Sequence, residues 1–512
     1  MSGNSSPLAP LVTFGVVGDY GSGGIGSTNV IAQAATGVAT AMKSFVSPSI
    51  PSNFVVSLGD QIYPPWSKGC ENGAATAAEY IAAIGNLYGG FIFYPPVNYD
   101  DPSAPVSPNP YAPDTPTSST MRLFPVIGDH DWWKQNQTIP ARSSGDSPEI
   151  YLMKGNDNYQ VNFAGLNLPL DPQLDPQLGT PDYTPCIRYY TVQPAADPAT
   201  NTPLIQLFAL SNDQNEVALG TLFTKDSSSD NLLSPQIQWF TGALSDSQAV
   251  WNIVSMHQPP YSSSNDHGPT TYFQLVDLVA NTVGKTVDLV LAGHIHSYER
   301  FQNVDQSNGL TTYIVNGTGG TLEGFASFKS VTDTSPIGQV RVTGYYGFQV
   351  ATVSLQTLTL AFYGSTDPAN ASQAPSGPSW TAFDVFMIVK PNTTLTLGDM
   401  AGLTGLLIQG VTDSSGATSG LTIDTGGQTA TLPLNLYGPG SLTVTGGGTL
   451  TVTAAPVPTG FKQNTDGSIP SVYYEQTQTG PTGPIATDSQ TTLVLYGTNY
   501  PPSAENPAAP AG

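Results

Sequence analysis

Residues 12–19 read VTFGVVGD and residues 54–60 read FVVSLGD. Each is a short apolar run that stops at Gly-Asp, and such runs read as buried strands delivering an Asp at the carboxyl tip. Between them, Thr28 to Phe45 is Ala-rich and helical in character, giving the order strand, helix, strand. The pattern recurs downstream. Leu123 to Ile127 ends at Gly128-Asp129, Val250 to Ser255 at Met256-His257, and Val287 to Ala292 at Gly293-His294. Five strand tips therefore carry Asp or His.

The chain has only five histidines in 512 residues, His130, His257, His267, His294 and His296, and all but His267 sit at such a tip. A lone histidine at a strand end is usually structural. Four together, beside three Gly-Asp tips, point to metal. Carboxylate and phenolate oxygens suit hard, highly charged cations and imidazole suits Zn, Fe and Mn, so a mixed set fits a pair of transition metals. Two such ions roughly 3.5–4 Å apart can share one Asp and one hydroxide. Glycine before each Asp lets the backbone turn sharply beside the ions.

The bulk composition narrows the partners. With 37 acidic and 14 basic residues the formal charge is -23, which repels nucleic acid and anionic lipid. A phosphorylated substrate needs a local positive source in that field, and bound metal supplies one. Only 10% of residues are charged, against roughly a quarter in an average soluble protein. A surface of Ser, Thr, Asn, Gly and Pro looks extracellular or cell-surface, yet Met1 to Pro10 lack the features of a secretory signal, and no stretch reaches transmembrane length. Cys70 and Cys186 can form one disulfide or stand as two thiols.

The Pro-rich stretch Tyr94 to Pro116 reads as a surface loop able to overhang the site. From 391 the texture changes to Gly, Thr, Leu and Val, with alternation such as Leu442-Thr443-Val444-Thr445 and Leu450-Thr451-Val452-Thr453. This predicts a β-rich C-terminal domain with Gly turns over 391–500 and a disordered Pro/Ala tail over 501–512.

The motifs GDYG at 18–21, GDQIY at 59–63, GDHD at 128–131, VSMH at 254–257 and GHIHSYER at 293–300 resemble, in order, those of the calcineurin-like metallophosphoesterases. They look most like the purple acid phosphatase branch, through Tyr63 and the Tyr298-Glu299-Arg300 after the last histidine. The resemblance covers roughly residues 11 to 390, after an N-terminal extension over 1–10, and includes YGFQVATV at 346–353. It implies an α/β fold, a metallophosphoesterase-type four-layer sandwich of mixed β-sheets flanked by helices, with the β-rich domain appended.

Residue by residue, the resemblance implies Fe(III) held by Asp19, Asp60, Tyr63 and His296. It implies Fe(II), Zn or Mn held by Asp60 as bridge, Asp129, His257 and His294. The family has Asn where this chain has Asp129, and the carboxylate adds a negative charge to the second metal. His130 matches the family's phosphate-binding histidine and proton donor, and Asp131 suits either a plain helix N-terminus or a carboxylate that orients that imidazole. His267 falls where plant members have a substrate-facing histidine, with Asp266 replacing another; its Ser/Asn/Asp/Gly setting also suits a plain exposed loop residue. Tyr63 taken alone can equally be a packed aromatic. Glu299 and Arg300 read as a buried structural pair rather than catalytic groups.

The implied reaction is hydrolysis of a small phosphate monoester, acid phosphatase-like, in which a metal-bound hydroxide attacks phosphorus and His130 serves the leaving group. Two readings stand beside it. One is a phosphodiesterase on the same site. The other is a surface or adhesive protein with a retained phosphatase scaffold, making surface or carbohydrate contact through the C-terminal domain.

Overall fold

The computed structural model describes residues 8–21, 30–46, 53–61, 84–91, 122–128, 189–212, 235–265, 274–302, 310–321, 328, 339–366, 380–456, 471–474 and 484–496. The frame is a pair of eight-stranded mixed sheets, with strands numbered along the chain. From one edge the first sheet contains β3 (Leu123–Pro125), β2 (Asn53–Ser57), β1 (Val12–Val17), β11 (Tyr346–Val353), β12 (Thr357–Ser365), β13 (Thr381–Val389), β15 (Gly405–Ile408) and β18 (Asn435–Tyr437). The second contains β4 (Tyr190–Ala196), β5 (Pro203–Ala209), β6 (Trp251–Met256), β7 (Leu289–Ala292), β9 (Thr312–Asn316), β8 (Ser297–Phe301), β10 (Val340–Thr343) and β21 (Ser471–Tyr474). β1, β2 and β3 pair in parallel, as do β5, β6, β7 and β9, so the tips of each set point one way.

Strand alternation builds the layers. In β6, Ile253 joins the core shared with the first sheet, while Val254 faces the helices α2 (Pro235–Asp246) and α3 (Gln274–Val283). β7 repeats the division, with Leu289 and Leu291 inward and Val290 and Ala292 outward. The two sheets touch where Tyr298 stacks on Phe362 at 4.1 Å and where Trp251 Nε1 donates to the Ser354 carbonyl at 2.8 Å. On the far face of the first sheet lies α1 (Val30–Phe45), whose buried Ala35, Val38, Ala39 and Met42 form one apolar stripe. Met42 fills the space above Gly15, and Phe45 packs on Phe348 and Tyr363. The order is helix, sheet, sheet, helix: an α/β sandwich of mixed sheets in four layers.

Beyond residue 390 the chain winds as a coil. It passes between β15 and β18 of the first sheet, a four-stranded sheet of β14 (Thr393–Thr396), β16 (Gly420–Asp424), β19 (Ser441–Thr445) and β22 (Ile485–Thr487), and a three-stranded sheet of β17 (Ala430–Pro433), β20 (Gly448–Thr453) and β23 (Thr491–Leu495). All these pairings are parallel, each strand resting on the one a turn earlier. Parallel strands stacked in turns around an apolar interior make a β-helix. Leu421, Ile423, Leu442, Val444, Leu450 and Val452 point into it, and the polar partners in the alternation point out. The corner between β19 and β20 is Gly446-Gly447-Gly448, all at positive φ (92°, 79°, 84°), where a side chain would be strained.

The composition change at 391 is not a break in the structure. β13 lends Phe386 and Ile388 to the core between the sheets and Met387 and Val389 to the coil interior, and it pairs directly with β15. β21 leaves the coil to pair with β10. The joint is also polar. Arg300, on β8, donates through Nε to Asp384 Oδ2 at 2.7 Å, and the same carboxylate accepts the Tyr298 hydroxyl at 2.6 Å and the Thr404 hydroxyl at 2.5 Å. The guanidinium lies over the rings of Phe386 and Tyr437, at 4.2 and 5.6 Å. The expected Glu299-Arg300 pair is thus corrected: both residues are buried, but Arg300 pairs with Asp384. Successive strand residues point to opposite faces, so these two could not meet. Cys70, Cys186, the stretch Tyr94 to Pro116 and the tail over 501–512 lie outside the described residues.

Candidate metal centre

The two sheets bring their strand tips together. β1 ends at Gly18-Asp19 and β2 at Gly59-Asp60; β6 runs into His257, β7 into Gly293-His294, and His296 opens β8. Asp19, Asp60 and His257 are all within 1% of full burial, and each offers a ligand atom within 4.8 Å of the others. His296 Nε2 lies 3.4 Å from Asp19 Oδ1, and the His257 and His294 rings meet edge-on at 5.1 Å. Five of the seven residues expected to hold metal are therefore in one place. Tyr63 and Asp129, with His130, Asp131 and His267, lie outside the described residues.

The backbone is strained where the site needs it. Asp19, Asp60 and His294 have φ of 58°, 51° and 68°, the left-handed region that costs a residue with a Cβ about 1–3 kcal/mol. Surrounding bonds hold them there. Asp19 N–H donates to the Gly59 carbonyl at 3.0 Å, and Gly21 N–H to the Asp60 carbonyl at 3.1 Å. The His294 N–H donates to Asp19 Oδ2 at 2.9 Å, tying the first sheet to the second through a candidate ligand. Glycine is required by close approach: a Cβ on Gly128 would lie 2.2 Å from Asp60 Oδ1, and one on Gly293 would lie 2.6 Å from Asp19 Oδ2.

The donor set fits a cation. His257 Nδ1 is 2.7 Å from the Leu58 carbonyl, which only accepts, so Nδ1 carries the proton. In a neutral ring the lone pair is then on Nε2, and Nε2 faces Asp60 Oδ1 at 3.4 Å. Lone pair against buried carboxylate is unfavourable unless positive charge is shared between them, which either a metal or a second proton on the ring provides. The electrostatics of Asp19 agree. Burial alone would raise its carboxyl, but the hydrogen bond to His296 and the nearby His257, His296 and His294 hold it below the usual carboxylate range.

Sequence reading missed the supports of the centre. Asp384, which belongs to the joint with the coil and not to the centre, gave one signal, an acid inside the apolar run 382–389. The acceptor role of Leu58 gave none, because a backbone carbonyl has no residue signature.

The family described as Iron/zinc purple acid phosphatase-like protein C matches residues 310–372, which span β9 to β12. Purple acid phosphatase 5 of Arabidopsis thaliana is 33% identical over 125 residues, covering 21% of this chain and 31% of that protein. Over these stretches the chain is similar to purple acid phosphatases. Purple acid phosphatase 22 of Arabidopsis thaliana is 24% identical over a longer stretch of 260 residues, 45% of this chain and 57% of the relative. The matches thus span less than two thirds of these relatives' lengths. Among solved structures, the purple acid phosphatase PPD1 from yellow lupin (Lupinus luteus) seeds aligns with a TM-score of 0.40 at 14% identity, over 75% of this chain and 55% of that one.

Proposed function

We propose that this chain is a binuclear-metal hydrolase of phosphate monoesters. The observation that supports it is the meeting of Asp19 and Asp60 from one sheet with His257, His294 and His296 from the other, with His257 Nε2 aimed at a buried carboxylate. Asp19 and His296, with Tyr63, would hold one ion; His257 and His294, with Asp129, the other; Asp60 would bridge. When bound, the ions supply positive charge for phosphate oxygens and acidify water. Asp19 fixes the His294 backbone, and Leu58 fixes the His257 tautomer, so the imidazoles meet the ions already oriented. His130, with Asp131 behind it, would carry a proton to the leaving oxygen, and His267 would face the ester group.

A small phosphorylated substrate suits a chain of net charge -23, in which the centre is the local positive site. Among the described residues no helix is long and apolar enough to cross a membrane. We place the protein outside the cell or at its surface on composition alone. The alternative of a retained scaffold draws on the large coil fused to the frame. Metal analysis with a p-nitrophenyl phosphate assay separates the two: an enzyme should carry two ions per chain and turn over, and a scaffold far fewer and none. A ferric-phenolate absorption band, lost in Tyr63→Phe, tests the first ion. A colourless protein with two stoichiometric ions would rule out ferric iron at Tyr63.

A further inference from the structure

Glu299 is 1% exposed, and among the described residues it has no cationic partner. Its carboxylate is spent on the chain that leaves His257. Oε1 accepts the hydroxyls of Ser262 at 3.2 Å and Ser297 at 2.9 Å, and Oε2 accepts the Ser263 backbone N–H at 2.7 Å. The opposite residue on β10, Arg341, lies over the Phe328 ring and donates to Ser263 Oγ at 3.2 Å. Ser262 Oγ in turn accepts the Ser264 N–H at 3.0 Å. At its other end the same segment is held by Asn212, which exchanges two hydrogen bonds with the Gln258 backbone at 2.8 and 3.0 Å.

The geometry points to Glu299 as a positioning residue for the reaction proposed above, on which this inference rests. It pins the loop 258–264, which leaves His257, against Ser297, which follows His294 and His296. A buried carboxylate is a costly way to brace a loop, and a neutral amide of the same shape would avoid that cost. The charge is retained because charge-assisted bonds are shorter and roughly twice as strong as neutral ones. The candidate ligands have anchors of their own, His257 on the Leu58 carbonyl and His294 on Asp19. Loss of Glu299 should therefore free the loop that follows His257 and leave the ions in place.

The test is Glu299→Gln in the metal-loaded full chain, assayed with p-nitrophenyl phosphate. The amide presents one acceptor oxygen to three donors, so KM should rise about tenfold, with metal content at the parent level and kcat within about threefold. Ser262→Ala removes one of the three donors to Glu299, together with an acceptor of the Ser264 N–H, and should raise KM only about two- to threefold; adding it to Glu299→Gln should change little further, since the two share one network. Hydrogen exchange over 258–265 should speed up in Glu299→Gln. Unchanged KM and exchange overturn the proposal, and so does loss of metal, which would make Glu299 a support of the ligands. If the parent is inert toward the ester, the proposed reaction fails on its own and exchange alone decides the role of Glu299.

Discussion

Replacing Asp384 by Ala should be among the most damaging single changes in the frame. The substitution removes the carboxylate that pairs with Arg300 among the described residues, and both side chains are within 1% of full burial. Burial on its own would lower the Arg300 pKa, yet the charge of Asp384 lifts it above its ordinary value, so the guanidinium stays charged. Removing one partner of a buried pair costs about 3–5 kcal/mol, because the other charge is left uncompensated. The Tyr298 and Thr404 hydroxyls lose the same acceptor, at about 1 kcal/mol each. The Phe386 and Tyr437 rings face the cation in the parent as in the variant, so they do not offset the loss. The sum is a loss of about 5 kcal/mol or more. Urea unfolding followed by tryptophan fluorescence measures it, with Tyr298→Phe as the reference for one lost hydrogen bond. The double variant Arg300→Met/Asp384→Leu should recover much of the loss, since no charge remains buried. If Asp384→Ala costs no more than Tyr298→Phe, the charge argument is refuted.

Other outcomes follow from the centre and its joint with the coil. His257→Ala should lower occupancy of one ion below half at matched loading, whereas His130→Ala should keep both ions and lose about 100-fold or more in kcat; metal loss in the latter would reassign His130 as a ligand. Asp129→Asn removes a formal negative charge from the ligand set, so it should speed turnover and loosen the second ion. Equal or tighter metal binding with no faster turnover refutes that. A chain ending at 390 loses the strands that cover β13 and Arg300, and it should be insoluble or partly unfolded by circular dichroism. A truncated chain that is monomeric, cooperative and metal-loaded would show that the frame needs no coil.

The frame and the five described ligand positions of the centre were legible because their signal is local. Apolar runs of strand length ending in Gly-Asp or next to His say both what the segment is and what it delivers, and β1, β2, β6 and β7 lie where those runs predict. The β-rich character after 391 was equally plain in the alternation of Leu442 to Thr445 and Leu450 to Thr453. Which strands pair was not legible. Alternation sets the inward face but not the partner, and the same pattern serves a hairpin or a coil, so nothing local shows β19 and β20 lying on different faces. The Arg300 to Asp384 contact spans 84 residues and no motif marks its far end. The supports of Asp19 and His257 are backbone groups, invisible to residue type.

The β-helix gives the molecule a direction of growth. Each turn needs only the turn before it as a template, so among the described residues a turn added on β22 and β23 would disturb one neighbour, whereas one inserted directly after β20 would lie between two. The first turns have no such freedom, because β15 and β18 are at once rungs of the coil and strands of the sheet that carries Asp19 and Asp60. Variation in length should therefore accumulate toward the far turns, while the stretch from β13 to β18 keeps its register. Where the coil returns to the second sheet through β21, it acts as a strap, and a grafted segment would best be set beyond it.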